Sequence, residues 1–255
     1  MEKNHSMLER TQKGAVAWLT LQRPEKKNAL HPSFWPECVE MFSALDQDPQ
    51  VRAVVISAAG DSFCAGLDLN AAMSLPFLEM GAQTPRQRID FAPHVRLWQE
   101  AFTAIERCRK PVIAAIHGAC IGGGLDLAAS CDIRLCAQDA VFSLREAAMA
   151  MVADLGSLQR LPLILGQGLT RELAFTARDV DAQEALHIRL VNRCFPTKQQ
   201  LWDGALQMAE QIAAQSPLAV QSSKDVLNYS RDTSTEHGLH YAATRNAMIM
   251  PSEEL

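Results

Sequence analysis

The sequence predicts an α/β fold on three observations. Short apolar, β-branched runs recur along the chain, longer helical patterns separate them, and the part from Gly156 onward is mostly helical in pattern. The chain has 255 residues, enough for one large domain with a full core, or for one domain with an appended element. In order, residues 15–21 form a strand and 33–45 a helix. Residues 51–57 form the next strand, followed by a broad polar and helical stretch to Arg107. A third strand over 112–116 leads into a glycine turn and a helix, and further strand pieces lie at 133–136 and 141–142. From about Thr197 three helices follow. Pro217 suits a first helical turn, where its missing N–H would be unpaired anyway, and Ser216 is the residue to cap it. No low-complexity segment occurs, and no repeat beyond the strand and helix alternation.

Composition narrows the function classes. A hydrophobic share of 48% and a charged share of 21% belong to an ordinary soluble globular protein. The formal net charge of −5 gives no global attraction to nucleic acid or to an anionic membrane, so neither is an expected partner. Seven cysteines without a C-x-x-C pair argue for buried thiols in a reducing compartment and against a zinc site. The opening Met1-Glu2-Lys3-Asn4-His5-Ser6 lacks a signal core, and the closing Ser252-Glu253-Glu254-Leu255 lacks a peroxisomal tripeptide, so a cytoplasmic location is expected. The longest apolar stretch, 111–130, carries His117, Asp126 and four glycines, which a membrane span tolerates badly.

The run Gly122-Gly123-Gly124 follows a strand-like segment and opens a helix. Peptide N–H groups without Cβ atoms at a helix start can approach a ligand closely, and the helix adds unpaired donors and a positive dipole end. A second exposed-backbone segment, 62–69, follows the strand at 51–57, so donors from two loops could converge on one developing oxyanion, such as a thioester enolate. A tight turn with close helix and strand packing explains the glycines equally well. The spacing excludes a dinucleotide fingerprint and a P-loop, and neither H-E-x-x-H nor G-x-S-x-G occurs.

Three acids follow. Asp126 stands in the first helical turn, where dipole compensation is the ordinary role. Glu146 follows Arg145, an ordinary salt-bridge partner. Asp154 lies in an apolar setting as either a cap for the helix after Gly156 or a buried carboxyl with a raised pKa. His117 reads as a packed core histidine, and Cys64 and Cys120 as small buried thiols. Lys26 and Lys27 read as a solvated loop with the capacity to meet phosphates.

With those residues in view, the chain resembles the enoyl-CoA hydratase/isomerase (crotonase) superfamily over nearly its whole length. The matching pieces are Arg23-Pro24-Glu25-Lys26-Lys27-Asn28-Ala29-Leu30, Phe63-Cys64-Ala65-Gly66-Leu67-Asp68-Leu69, and the segment from His117 to Leu127. Within the superfamily it is most similar to the delta-3,5-delta-2,4-dienoyl-CoA isomerases. The match runs through 121–127, Glu146 and 152–162, and continues in 175–178 and 216–224. Hydratases of the superfamily have Glu where Asp126 stands and lack an acid at Asp154.

The resemblance implies a core of repeated ββα units over 1–196 and a helical trimerisation region over 197–255, giving a homotrimer or homohexamer. It implies an oxyanion hole from the N–H groups of Leu67 and Gly123, with Ala65, Gly66, Asp68, Leu69, Asn70 and Gly124 facing an acyl-CoA thioester. Glu146 is expected to handle carbon 2 and Asp154 carbon 6, with the reverse order left open, and Asp126 to serve as an auxiliary acid. No metal or redox cofactor is implied, since CoA enters as part of the substrate. Lys26, Lys27 and Lys224 are weak candidates for its phosphates. The implied reaction is isomerisation of a 3,5-dienoyl-CoA to a 2,4-dienoyl-CoA in fatty acid β-oxidation. The alternatives are hydration of a 2-enoyl-CoA and a noncatalytic scaffold or RNA-binding role, which the three acids and the negative charge disfavour.

Overall fold

The computed structural model describes residues 6–73 and 85–250. The first five and last five residues, and part of the polar stretch read as helical before Arg107, lie outside them. The described elements are β1 (Leu8–Lys13), β2 (Val16–Leu21), α1 (Phe34–Gln47), β3 (Ala53–Ala58), α2 (Leu69–Met73), α3 (Pro85–Arg107), β4 (Val112–Ile116), β5 (Ala119–Ile121), α4 (Gly123–Ser130), β6 (Ile133–Ala137) and β7 (Val141–Ser143). They continue with α5 (Ser157–Leu165), α6 (Gln167–Thr176), β8 (Asp179–Asp181), α7 (Ala182–His187), β9 (Arg193–Phe195), α8 (Lys198–Ala213), α9 (Pro217–Arg231) and α10 (Thr235–Ile249). Every strand read from the sequence is present, with ends moved by two residues or fewer. Four strands were not anticipated: β1, β5, β8 and β9.

The larger sheet has the order β1-β2-β3-β4-β6-β9, with only the β1–β2 pair antiparallel. The central strands β2, β3 and β4 are buried on both faces, which is why they read as largely apolar runs. Alternate side chains divide between two cores. Leu19, Ile56, Ala114 and Cys136 face the main core with α1, α3 and α4, whereas Trp18, Val55, Ile113 and Leu135 face α8. On α8 the contact stripe is Leu201, Ala205, Ala209 and Ala213, one helical face of mostly small residues that lets the helix lie close to the sheet. The helical region expected over 197–255 therefore begins with a helix of the core itself. The Ser216 hydroxyl caps α9 by accepting the Ala219 N–H at 3.2 Å, as the sequence indicated.

The smaller sheet, β5-β7-β8, is fed from the larger one: the chain leaves β4, turns at His117 and Gly118, and enters β5 before α4. This is the ββα unit in physical form. Gly118 sits at φ 56, and a Cβ there would lie 2.0 Å from the Asp61 carbonyl oxygen. His117 is buried, with Nε2 3.0 Å from the Gly60 carbonyl and its ring edge-on to Trp202; burial pushes its pKa down, so it packs as a neutral core histidine.

Lys224 of α9 is buried against Asp132, 2.7 Å away, and donates to the Lys110 carbonyl at 3.2 Å. It ties α9 to the base of β4 and β6, which corrects its expected place among the phosphate contacts. Among the described residues, no helix is long and apolar enough to cross a membrane.

Gly118→Ala should lower the free energy of unfolding by about 2–4 kcal/mol, because it combines a left-handed backbone with a clash against main chain. Urea unfolding of the two proteins measures it.

Candidate active site

The loop after β3 is fixed to β5 by main-chain hydrogen bonds. Phe63 N–H donates to His117 O at 2.8 Å, Cys64 N–H to Ala119 O at 2.9 Å, and Ile121 N–H to Cys64 O at 3.0 Å. Beyond it, Leu30 N–H donates to Gly66 O and Asp68 N–H to Leu30 O, a parallel bridge that uses the neighbours of Leu67 and leaves the Leu67 N–H without a partner among the described residues. Gly123 is the first residue of α4, so its N–H has no partner within the helix and likewise none among the described residues. The two amides lie side by side: a Cβ on Gly123 would be 3.6 Å from Leu67 N, and one on Gly66 would be 3.5 Å from Gly123 N. Two donors from two loops flank one small space.

The three glycines divide their roles. A Cβ on Gly124 would sit 2.4 Å from the Cys64 carbonyl oxygen, so this glycine serves close packing. Gly122, at φ 50, leaves room for a carboxylate, since a Cβ there would be 2.9 Å from Glu146 Oε1. Gly123 keeps its amide open.

The acids stand around the same space. Asp126 is almost wholly buried, and its Oδ1 accepts from both the N–H and the hydroxyl of Ser157, at 2.6 Å each. Its Oδ2 has no partner among the described residues. Burial, opposed by the Ser157 hydroxyl and assisted by the charge of Glu146, pushes its pKa up to about 7. Asp126 thereby caps the N-terminus of α5, the role that Asp154 was a sequence candidate for. Arg145 pairs with Asp179 instead of Glu146, and the buried Oε2 of Glu146 has no partner among the described residues. Burial raises the Glu146 pKa, its own N–H partly offsets this, and the charge of Asp154 adds to it. Burial also raises Asp154, again offset in part by its own N–H.

These groups line a cavity of about 260 Å³ together with the backbone of Ala65, Gly66 and Leu67. Leu69, Met149, Met151, Val152 and Leu155 supply an apolar wall, of which all but Leu155 are exposed. Three of the residues expected to face substrate are placed otherwise. Asp68 pairs with Arg23 at 2.6 Å and accepts the Ala71 N–H at 3.1 Å; the upward push of burial is outweighed, and its pKa falls below the usual range. Asn70 is exposed on α2 and Gly124 is packed, and neither lines the cavity. Lys26 and Lys27 are exposed beside it, with the Lys27 carbonyl accepting from Ala65 N–H at 2.9 Å. Cys64 and Cys120 are buried thiols, with burial pushing Cys64 up to about 12 and Cys120 well above the ordinary thiol value. Sequence reasoning expected Leu69 at the cavity but missed Ser157 and the rest of the apolar wall, for which the Met149-Ala150-Met151-Val152 run was the available signal.

The profile of the enoyl-CoA hydratase/isomerase family matches residues 11–253. The chain belongs to that family. The human protein named delta(3,5)-delta(2,4)-dienoyl-CoA isomerase, mitochondrial, is 47% identical over 241 residues, covering 94% of this chain and 74% of the human one. The Arabidopsis thaliana protein of the same name, peroxisomal, is 44% identical over 254 residues, covering 99% of this chain and 91% of its own. Among solved structures, an enoyl-CoA hydratase from Bacillus anthracis superposes with a TM-score of 0.89 at 27% identity, covering 97% of this chain and 92% of that one. This family member is thus most like the dienoyl-CoA isomerases, and its fold is the crotonase fold.

The raised Asp126 pKa carries a stability consequence. Between pH 4 and pH 7 the folded protein keeps a proton that the unfolded chain has lost, so stability falls as pH rises through that window. Asp126→Asn should remove up to about 1.4 kcal/mol per pH unit of this slope. Urea midpoints of both proteins at pH 5 and pH 7.5 test it: the variant gains on wild type at the higher pH, and an equal difference at both would contradict the assignment.

Proposed function

We propose that this family member converts a 3,5-dienoyl-CoA to a 2,4-dienoyl-CoA. One observation carries this reading: two carboxyls of raised pKa, Glu146 and Asp154, line one apolar-walled cavity beside a pair of main-chain donors that have no partner among the described residues. The thioester oxygen sits between the N–H groups of Leu67 and Gly123. Glu146, ionised, takes a proton from carbon 2, and the electron pair spreads from carbon 2 to carbon 6 and onto the oxygen. Asp154, protonated, delivers its proton to carbon 6. The double bonds end at carbons 2 and 4, Glu146 holds the proton taken, and a proton passed back to Asp154 resets the pair.

The energetics suit this division. Each amide contributes on the order of 3 kcal/mol where negative charge develops. Each carboxyl contributes about 10²–10⁴-fold, most effectively with a pKa raised toward neutrality. Asp126 stands behind Glu146 as an auxiliary acid whose state biases that of its neighbour. Because the thioester itself acidifies carbon 2, the step needs no metal or redox group, and CoA enters with the substrate. Hydration of a 2-enoyl-CoA needs no acid at the far end of a conjugated chain, so it leaves Asp154 unused. The place in fatty acid β-oxidation follows from the substrate class. Six buried cysteines suit a reducing compartment, for which we keep the cytoplasm.

We read the protein as a homotrimer or a pair of trimers. On α9 and α10, Leu227, Leu239 and Met248 are about two-thirds or more exposed, an apolar surface that a copy of the chain would cover. Light scattering at micromolar concentration should give three or six copies, and a monomer would refute the assembly.

The two carboxyls separate in heavy water. Asp154→Asn should still exchange the carbon 2 proton, while formation of the 2,4-diene falls by about 10²-fold or more; Glu146→Gln should lose both. Nuclear magnetic resonance on a 3,5-dienoyl-CoA follows the two processes together. The opposite pattern would exchange the roles, and normal isomerisation by both variants would sink the mechanism.

A further inference from the structure

The segment that carries Asp154 is held from outside the cavity. Leu155 is a buried core residue that borders both the substrate cavity and a second cavity of about 380 Å³, so the segment forms the partition between them. Polar tethers from α3 hold it. Gln99, Thr103 and Glu106 share one face of that helix at spacings of four and three residues. The Gln99 side-chain amide donates to the Asp154 carbonyl at 2.6 Å. Glu106 accepts from Arg160 Nη2 at 2.9 Å and Nε at 3.3 Å, and Arg160 Nη1 lies 3.4 Å from the Leu155 carbonyl oxygen. Gly156, after Asp154 and Leu155, sits at φ 126, a conformation that side chains rarely adopt, and a Cβ there would also push the Arg160 guanidinium from its place. Glu106 also accepts from Arg231, and its carbonyl from Asn228 at 3.1 Å, which fastens the same face to α9.

We propose that Gln99 is a positioning residue for Asp154, with the Glu106–Arg160 pair steadying the two residues that follow. The Asp154 carboxylate accepts from its own N–H, so its direction follows the main chain, and Gln99 grips that chain at the same residue. This rests on the assignment of Asp154 as the acid at the far end of the dienolate. The distance from α3 to the loop then sets the reach to carbon 6 without touching the oxyanion hole or Glu146.

The test is Gln99→Met, which keeps an unbranched chain of similar length and loses the donor. On a 3,5-dienoyl-CoA in heavy water it should reproduce the split of Asp154→Asn in milder form. Formation of the 2,4-diene should fall about 10- to 100-fold, while KM and carbon 2 exchange stay within about twofold. Arg160→Lys, which loses the forked guanidinium, gives the same split should Gln99→Met fail to fold. Exchange and isomerisation falling together, or neither falling, overturns the positioning role. Wild-type protein that forms no 2,4-diene overturns the proposed activity instead. Amide hydrogen exchange over residues 153–157 needs no substrate and decides the tether in either case: it quickens in the variant if Gln99 holds the segment, and stays unchanged if it does not.

Discussion

The hydrogen bonds that join Cys64 to the strand over Ala119–Ile121 are the constraint on which the rest of the site depends. They place the loop after β3 alongside the entry to α4, and so bring two amides from distant parts of the chain to one point. The Cys64 thiol is small enough to allow this approach, and Gly124 removes the Cβ that would otherwise collide with the Cys64 carbonyl. Donors held by a sheet need no reorganisation when charge develops between them, which is the condition under which main-chain N–H groups act most strongly.

Burial then does for the acids what the sheet does for the amides. Asp126, Glu146 and Asp154 are all raised chiefly by loss of solvent, and the first two are coupled through charge. Ser157 occupies one oxygen of Asp126 and leaves the other to take the proton. Loss of solvent thus favours the protonated form of each, and the charge of a neighbouring acid adds to this at Asp126 and Glu146. Asp126, pushed up to about 7, exchanges its proton near neutral pH, at a cost to the stability of the fold as it ionises.

Much of this was legible in the sequence, and the exceptions have physical causes. Strands buried on both faces announce themselves as mainly apolar runs, so β2, β3, β4, β6 and β7 could be read directly even with Thr20, Ser57, Arg134 and Ser143 among them. By contrast β1 is a polar edge strand, exposed at five of its six residues, and β5, β8 and β9 are three residues long and carry no readable period. At the site, the glycine run and the acids stood out because their chemistry is unusual for their surroundings. Asp68, Asn70 and Gly124 were misplaced because successive loop residues face different ways, and adjacency along the chain does not say which faces the ligand. Ser157 and Gln99 are common residue types whose partners lie 31 and 55 positions away. Only the folded chain brings such partners together.

The two walls of the substrate cavity differ in kind. One is main chain, at Gly66, Leu67 and Gly123, and cannot shift without breaking the sheet that carries it. The other includes Met149, Met151 and Val152, exposed side chains, and the thioethers turn about several bonds at little cost. The cavity therefore works as a vice with one fixed jaw and one soft jaw. On the proposed reading the thioester meets the fixed jaw and the acyl tail the soft one, so a substrate that varies at its tail keeps the alignment of its reacting carbons.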